Sequence, residues 1–401
     1  MRITVISPFV DRQHGTERAV ADLIERLSIR YQDQIELYAQ RVTDVRTDSS
    51  SQASKNDRGA IRWHRVNSFP GPHLFQFLGW LILNRSARKR SENATSQKSE
   101  AIFSAGINAL DADVILVHVV FHRVAELQSS RVTFGLRAWH RRLYYSLLCS
   151  LERRIYRNPA VTLVAVSPHT AQQLAHYFDR QDVTVVPNGV DAQHFSPALI
   201  ASIRERSRRD LNYSPNDFVA LLIGNDWRNK GLSTLLAAVS QCHDLPIRLL
   251  VVGQDDQEKF RSLARELLIA DRVQFVSPTS DVRTFYAAAD VLAAPSLEDS
   301  FNLPVLEAMS CGLPVIVSPH AGISHWLAHD RDSLLLKDPE NSAELAGALR
   351  LMATDSAKRK AISANALQTA AKFSWDAHAR ELRKLLVSAA ERKARYKKTQ
   401  A

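Results

Sequence analysis

At 401 residues the chain exceeds the roughly 250–300 at which a single core stops growing, so two domains are expected. Its 45% hydrophobic and 23% charged content is that of an ordinary globular protein and excludes a disordered or fibrous chain. The net charge of +10 is concentrated early, with 25 Lys/Arg against 17 Asp/Glu in residues 1–190, which suits an anionic membrane surface or an acidic acceptor as well as plain solvated charge.

The chain opens Met1-Arg2-Ile3-Thr4-Val5-Ile6, which reads as a first strand at 2–6 and not as a signal peptide with a small-residue cleavage site. A cytoplasmic protein is therefore expected. Thr16 is placed to cap a helix whose Ala19, Val20, Leu23, Ile24 and Leu27 form an apolar stripe at helical spacing. Further strands are predicted at 35–39, 61–66, 114–118, 161–166 and 183–186, and the polar segment Arg46 to Arg58 reads as a loop. The longest apolar stretch, Leu74 to Leu83, is ten residues, about half of the ~20 a spanning helix needs. With Trp80 in its body and Arg85, Arg88, Lys89 and Arg90 behind it, this segment suits either an anionic lipid surface or a helix tucked against the first domain.

A first series of strands and helices ends around Pro187-Asn188-Gly189-Val190-Asp191. We place the boundary near residue 192, giving domains at 1–192 and 193–374, with a C-terminal helix at 375–395 that can pack back on the first. The second series has strands at 218–223, 248–252, 273–276, 291–294 and 314–317. Strands alternating with helices mark parallel sheets, so each half is read as a doubly wound α/β domain. Cys149, Cys242 and Cys311 are odd in number and widely spaced, which suits neither a disulfide framework nor zinc.

Two constellations carry chemistry. The passage Pro295-Ser-Leu-Glu-Asp-Ser-Phe-Asn-Leu-Pro304-Val-Leu-Glu307-Ala-Met-Ser-Cys-Gly312 reads as strand end, loop and helix, with Pro304 in the first turn and Gly312 ending it. Free amides at about 300–303 then make an anion site at a helix start, and Glu307, one turn in, suits a ribose diol. The second passage, Ile223-Gly-Asn-Asp-Trp-Arg228-Asn-Lys230-Gly231-Leu232, hangs two cations over a turn, where fixed charge steadies a leaving diphosphate.

The first passage resembles the E-x7-E signature of the family 4 retaining glycosyltransferases (glycosyl transferases group 1), with Asp299 and Glu307 at the two acidic positions. The resemblance implies a GT-B fold: α/β, two facing Rossmann-like doubly wound domains with an interdomain cleft. It implies transfer from a nucleotide diphosphate sugar, most commonly a UDP-sugar, to a saccharide or lipid-linked acceptor, with retention and without a metal cofactor. Glu307 would hold the ribose, Asp299 or the adjacent Glu298 the sugar, and Asn302 stands where the family has Gly. The family shows Gly-Arg then Lys-Gly in the basic loop; here Asn225 takes the Arg position and Arg228 is the candidate replacement.

In the first domain the resemblance covers His14-Gly15-Thr16-Glu17-Arg18, the loop Ala165-Val166-Ser167-Pro168, and a histidine near the acceptor, either His118 or His122. The catalytic set is thus Arg228, Lys230, Asp299 and His118. The donor-binding set is Glu307, Ser300, Phe301, Asn302, Leu303, Gly15 and Gly253. Two Asp-x-Asp triplets, at Asp111 and Asp330, are misplaced for holding a metal on a diphosphate and read as structural. No nucleic-acid partner is expected. An epimerase or phosphorylase of the same architecture and a non-catalytic nucleotide-sugar binder remain as rival readings.

Overall fold

The computed structural model describes residues 1–12, 15–47, 59–95, 98–129, 136–277, 279 and 281–400. His14 and residues 48–58 of the expected loop lie outside the described residues. The chain forms two compact units, Met1–Pro187 with Trp375–Ala401, and Asn188–Ser374.

In the first unit the order is β1 (Arg2–Ile6), β2 (Phe9–Val10), α1 (Gly15–Tyr31), β3 (Gln34–Ala39), β4 (Arg41–Val42), β5 (Ile61–Arg65), α2 (His73–Thr95), β6 (Ala101–Ala105), β7 (Val114–Val117), α3 (Phe121–Ser129), α4 (Leu136–Tyr156), β8 (Thr162–Ala165), α5 (Pro168–Phe178) and β9 (Thr184–Val185). One parallel sheet runs β5-β3-β1-β6-β7-β8-β9, while β2 and β4 form a separate pair. Strands such as Val-Ile-Leu-Val in β7 are buried along their whole length, as strands covered on both faces must be. Strand β6, next to β1, is absent from the sequence prediction. Its Ala-Ile-Phe-Ser-Ala has one β-branched residue, two alanines and a serine, so its strand signal is weak.

Helix α1 starts one residue before Thr16, its predicted cap, and buries all five residues of the predicted stripe. Helix α2 divides its segment between buried and exposed side chains. Leu74, Trp80 and Leu81 are buried, and Trp80 Nε1 donates to Asn108 Oδ1 at 3.1 Å. Arg88 is buried and pairs with Asp111 at 2.8 Å, so part of the basic run is structural. Phe75 and Ile82 stay 52% and 68% exposed, with Arg85, Lys89 and Arg90 exposed beyond them. No helix of the described residues is long and apolar enough to cross a membrane.

The second unit runs α6 (Pro197–Asp210), β10 (Phe218–Ile223), α7 (Leu232–Ser240), β11 (Ile247–Val252), α8 (Gln257–Glu266), β12 (Val273–Val276), α9 (Arg283–Ala288), β13 (Val291–Ala294), α10 (Leu303–Ser310), β14 (Val315–Val317), β15 (Leu334–Leu335), α11 (Ser342–Thr354) and α12 (Ser356–Ala370). Its parallel sheet has the order β12-β11-β10-β13-β14-β15. Chain order reverses between β10 and β13, so the loops leaving these two strands diverge at a topological switch point, where doubly wound sheets bind ligands.

The chain ends in α13 (Trp375–Gln400), which belongs to the first unit and packs on α1. Leu382, Leu386 and Ala389 are its buried stripe. Arg383 donates to the buried carboxylate of Asp33 at 2.7 and 3.0 Å, and Arg26 of α1 reaches Asp376 at 3.1 Å.

Candidate functional site

The loop from β10 to α7 is anchored by Trp227, a bulky side chain just ahead of the two cations, to which the sequence reading gave no role. Trp227 is fully buried, its indole edge-on to Phe260 at 5.7 Å and tilted against Phe275 at 5.3 Å. Its backbone N–H donates to Asp255 Oδ2 at 2.6 Å. Behind it the backbone turns back on itself, with the Lys230 N–H donating to the Asp226 carbonyl and the Leu232 N–H to the Trp227 carbonyl, each at 2.9 Å. Asn225, in the place of the family's Arg, accepts the Gln254 N–H at 2.8 Å and ties the loop to the one leaving β11.

Two glycines let these loops touch. Gly253 has φ +152°, and a Cβ there would lie 2.1 Å from the Gly224 carbonyl oxygen. Gly231 has φ +75°, and its Cβ would lie 2.0 Å from the carbonyl oxygen of Pro295 at the end of β13. Only a residue without a side chain permits either approach.

The loop from β13 to α10 meets the basic loop directly. Asn229 Nδ2 donates to the Glu298 carbonyl at 2.8 Å, and Leu297 N–H donates to the Asn229 carbonyl at 2.7 Å. Lys230 Nζ donates to Asp299 Oδ2 at 2.6 Å, and both side chains are mostly sheltered from solvent. Asp299 Oδ1 accepts the Phe301 N–H at 3.1 Å. That amide, expected to be free for an anion, is therefore engaged by the aspartate. Asn302 holds φ +74° as the residue before the helix, and its side chain donates to the buried Ser296 hydroxyl at 3.2 Å. Pro304 is the second residue of α10, and Gly312 follows its end at φ +75°.

The predicted donor residues divide by what their side chains do. Ser300 is partly exposed in the loop, whereas Phe301 is buried against Trp326 and Phe373 and serves the unit's core. Leu303 is buried as well. Glu307 is buried one turn into α10 and accepts the Tyr286 hydroxyl at 2.6 Å. Arg228 is exposed and forms no ion pair among the described residues, so the structure joins Lys230 to Asp299 but leaves Arg228 outside that contact.

Gly15, the first residue of α1, is exposed in the first unit. His118 follows β7 there and is buried. His122, its rival, sits in the first turn of α3, with Nδ1 2.8 Å from Glu152 Oε2. Burial first, then Arg153 and Arg157, hold the His122 ring below the usual histidine range. Ser167 caps α5, accepting the Thr170 N–H at 3.1 Å.

Both Asp-x-Asp triplets are occupied by protein partners. Asp111 pairs with Arg88, while Asp113 accepts the Ile102 N–H and Lys393 Nζ, each at 2.8 Å. Asp332 is buried and accepts the Ala328 N–H and the Thr369 hydroxyl, each at 2.8 Å, and Asp330 pairs with Lys358 at 3.1 Å.

The family described as Glycosyltransferase Family 4 matches residues 13–194, and the one described as Glycosyl transferases group 1 matches residues 203–369. The D-inositol 3-phosphate glycosyltransferase of Corynebacterium kroppenstedtii is 32% identical over 244 residues, which are 58% of this chain and 54% of that protein. Its counterpart in Corynebacterium jeikeium is 33% identical over 251 residues, 58% of each chain. The matches thus span little more than half the length of these curated relatives. Among solved structures, WaaG, a glycosyltransferase involved in lipopolysaccharide biosynthesis, aligns with a TM-score of 0.77 at 19% identity over 96% of this chain and 99% of its own. HepE of Anabaena, in complex with UDP and glucose, aligns at 0.71 and 19% over 96% and 99%. At such identities the likeness speaks for fold, and the fold is GT-B, with two Rossmann-like domains. Joined by two family matches that run from residue 13 to residue 369, the chain belongs to the group 1, family 4 glycosyltransferases.

Proposed function

We propose that this chain transfers a sugar from a nucleotide diphosphate, UDP in the first instance, to a glycan or lipid-linked saccharide acceptor, with retention and without a metal. The observation that carries the reading is the Lys230–Asp299 pair, set between two loops at the switch point of the second unit and beside the start of α10. A donor diphosphate would draw Lys230 away from Asp299, since a phosphate offers more negative charge than one carboxylate. Asp299, released, would turn to the hydroxyls of the sugar, and Glu307, oriented by Tyr286, would take the ribose diol. As the bond from the anomeric carbon to the phosphate oxygen breaks, Lys230 and the amides at the α10 start meet the charge that develops, with Arg228 as a second cation. The acceptor oxygen bonds to the same face of that carbon, and its proton passes to the departing phosphate.

The UDP in the HepE structure and the phosphorylated substrate in the relatives' name support a UDP-sugar donor and an anionic acceptor. The charge of the first unit fits such an acceptor: 33 Lys and Arg against 20 Asp and Glu, net +13. We place the work at the cytoplasmic face of an anionic membrane, in cell-envelope or exopolysaccharide synthesis, with Phe75 and Ile82 of α2 as the peripheral contact.

The reading is tested with purified protein in EDTA, offered UDP-, GDP- and ADP-glucose while thermal stability and nucleotide release are followed. A donor that raises the melting temperature and slowly releases its nucleotide is expected. Lys230→Ala should lower kcat on the order of 10²–10³-fold with a smaller change in KM. An unchanged kcat would remove Lys230 from the chemistry, and binding only after Mg²⁺ is added would overturn the metal-free reading. Binding without turnover of any acceptor or water would favour the non-catalytic binder.

A further inference from the structure

The segment between β7 and α3 is three residues long, His118 to Val120. Its first end is fixed by the sheet, where Val117 pairs with Ala165 of β8. Its second end is the start of a helix, whose first amides have no partner within the helix and are ordinarily met by a Ser, Thr, Asp or Asn just before it. Here the residues just before are His118, Val119 and Val120, and none can act as such a cap.

The acceptor comes instead from α4, about thirty residues away. Glu152 Oε1 accepts the Phe121 N–H at 2.7 Å, and Oε2 accepts the His122 N–H at 3.0 Å. Oε2 also takes His122 Nδ1 at 2.8 Å, which fixes the ring and commits that nitrogen to the carboxylate. One side chain thus binds two consecutive amides and the imidazole beyond them. The Glu152 side chain is 0% exposed. Burial pushes it up to about 8 against the pull of the two amide bonds. A local Asp or Ser would have capped α3 without burying a carboxylate, but it would not have tied the loop to α4.

We propose that Glu152 is a positioning residue for the reaction: by clamping the start of α3 to α4 it fixes the three-residue loop that presents His118. The inference rests on the reading that His118 serves the acceptor side, and it gives His122 a structural share in the clamp in place of a catalytic one. Phe178 packs edge-on against both His122, at 4.9 Å, and Tyr156, at 5.2 Å, so α5 closes the apolar side of the clamp.

The test uses the full chain with Glu152→Gln, Glu152→Ala and His118→Ala. Glutamine keeps the volume but turns an N–H₂ toward one of the two amides, so one clamp bond is lost. Hydrogen exchange of the Phe121 and His122 amides should quicken by at least about tenfold in both Glu152 variants, because local opening sets exchange at a helix start. Nucleotide release from UDP-glucose should fall about ten- to a hundredfold in kcat with the donor KM unchanged, the mark of misplacement and not of lost binding. Wild-type exchange in Glu152→Gln overturns the clamp, and that measurement needs no substrate. If exchange quickens and His118→Ala loses activity while both Glu152 variants keep wild-type kcat, the clamp exists but does not position the chemistry, and the proposal falls. Wild-type kcat in His118→Ala instead overturns the reading of His118 itself.

Discussion

The second unit brings its functional loops together backbone to backbone, whereas in the first buried carboxyl groups tie together segments far apart in sequence. In the second, Gly231 and Gly253 allow carbonyls within about 2 Å of where a side chain would begin, and the Lys230–Asp299 pair closes over that platform. In the first, Asp33, Glu36 and Glu152 are buried carboxylates, each satisfied by groups distant in sequence. The surfaces differ as well. The first unit has a net charge of +13 and the second, with 19 Lys and Arg against 22 Asp and Glu, −3. Ten of the eleven large apolar side chains exposed among the described residues lie in the first unit. The contrast teaches that steric change should injure the second unit most and pH change the first, and it puts the surplus of positive charge on the first.

The sharpest way to break the steric half of the comparison is Gly253→Ala. A Cβ 2.1 Å from a backbone oxygen, at φ +152°, cannot be absorbed by a side-chain rotation. We expect urea unfolding to report a loss of at least about 3 kcal/mol, together with loss of donor-diphosphate stabilisation. A wild-type unfolding midpoint would mean that the loops can separate freely.

The pH half turns on His378 of α13, which is buried with Nδ1 2.8 Å from the Pro187 carbonyl oxygen. Burial pushes this histidine down to about 4. It is neutral in the folded chain at pH 5, while the unfolded chain, titrating near 6.5, has taken up a proton. Stability therefore falls as pH drops from about 6.5 toward 4, and between pH 7 and 5 this residue should cost on the order of 2 kcal/mol. His378→Asn, which keeps a donor for Pro187 and cannot titrate, should flatten that slope. Identical pH dependence in variant and wild type would sink the idea.

A smaller effect sharpens the surface contrast. Phe75→Ser with Ile82→Ser should weaken binding to phosphatidylglycerol vesicles about tenfold, with the residual binding sensitive to salt. Equal binding to neutral phosphatidylcholine vesicles, or none to either, would remove the lipid contact.

Much of the second unit was legible because its signals are local. Pro304 and Gly312 bracket α10, Asn302 adopts the positive φ that its side chain tolerates, and the run Phe218–Ile223 is a strand. What escaped the reading depends on partners far along the chain. Trp227 looked like one more loop residue until Asp255, Phe260 and Phe275 surrounded it. Tyr286 gave no hint that it holds Glu307. Phe301, assigned to the donor loop by its place in the motif, also has a core side chain, over which Trp326 and Phe373 close. In the first unit, β6 lacks a branched pattern, and Glu152 carries no local mark of the amides it serves.

By itself the sequence determined the alternation of strands and helices, the family, and the acidic and basic residues around the start of α10. These follow from hydrophobic periodicity, caps and turn residues, which act within a few positions of one another. Only the tertiary structure decided that Asp299 meets Lys230, that Glu152 reaches the start of α3, and which half of α2 faces solvent. Those outcomes depend on which strands become neighbours and which loops can approach within hydrogen-bonding distance, and pairing between distant segments leaves no periodic trace in a single chain.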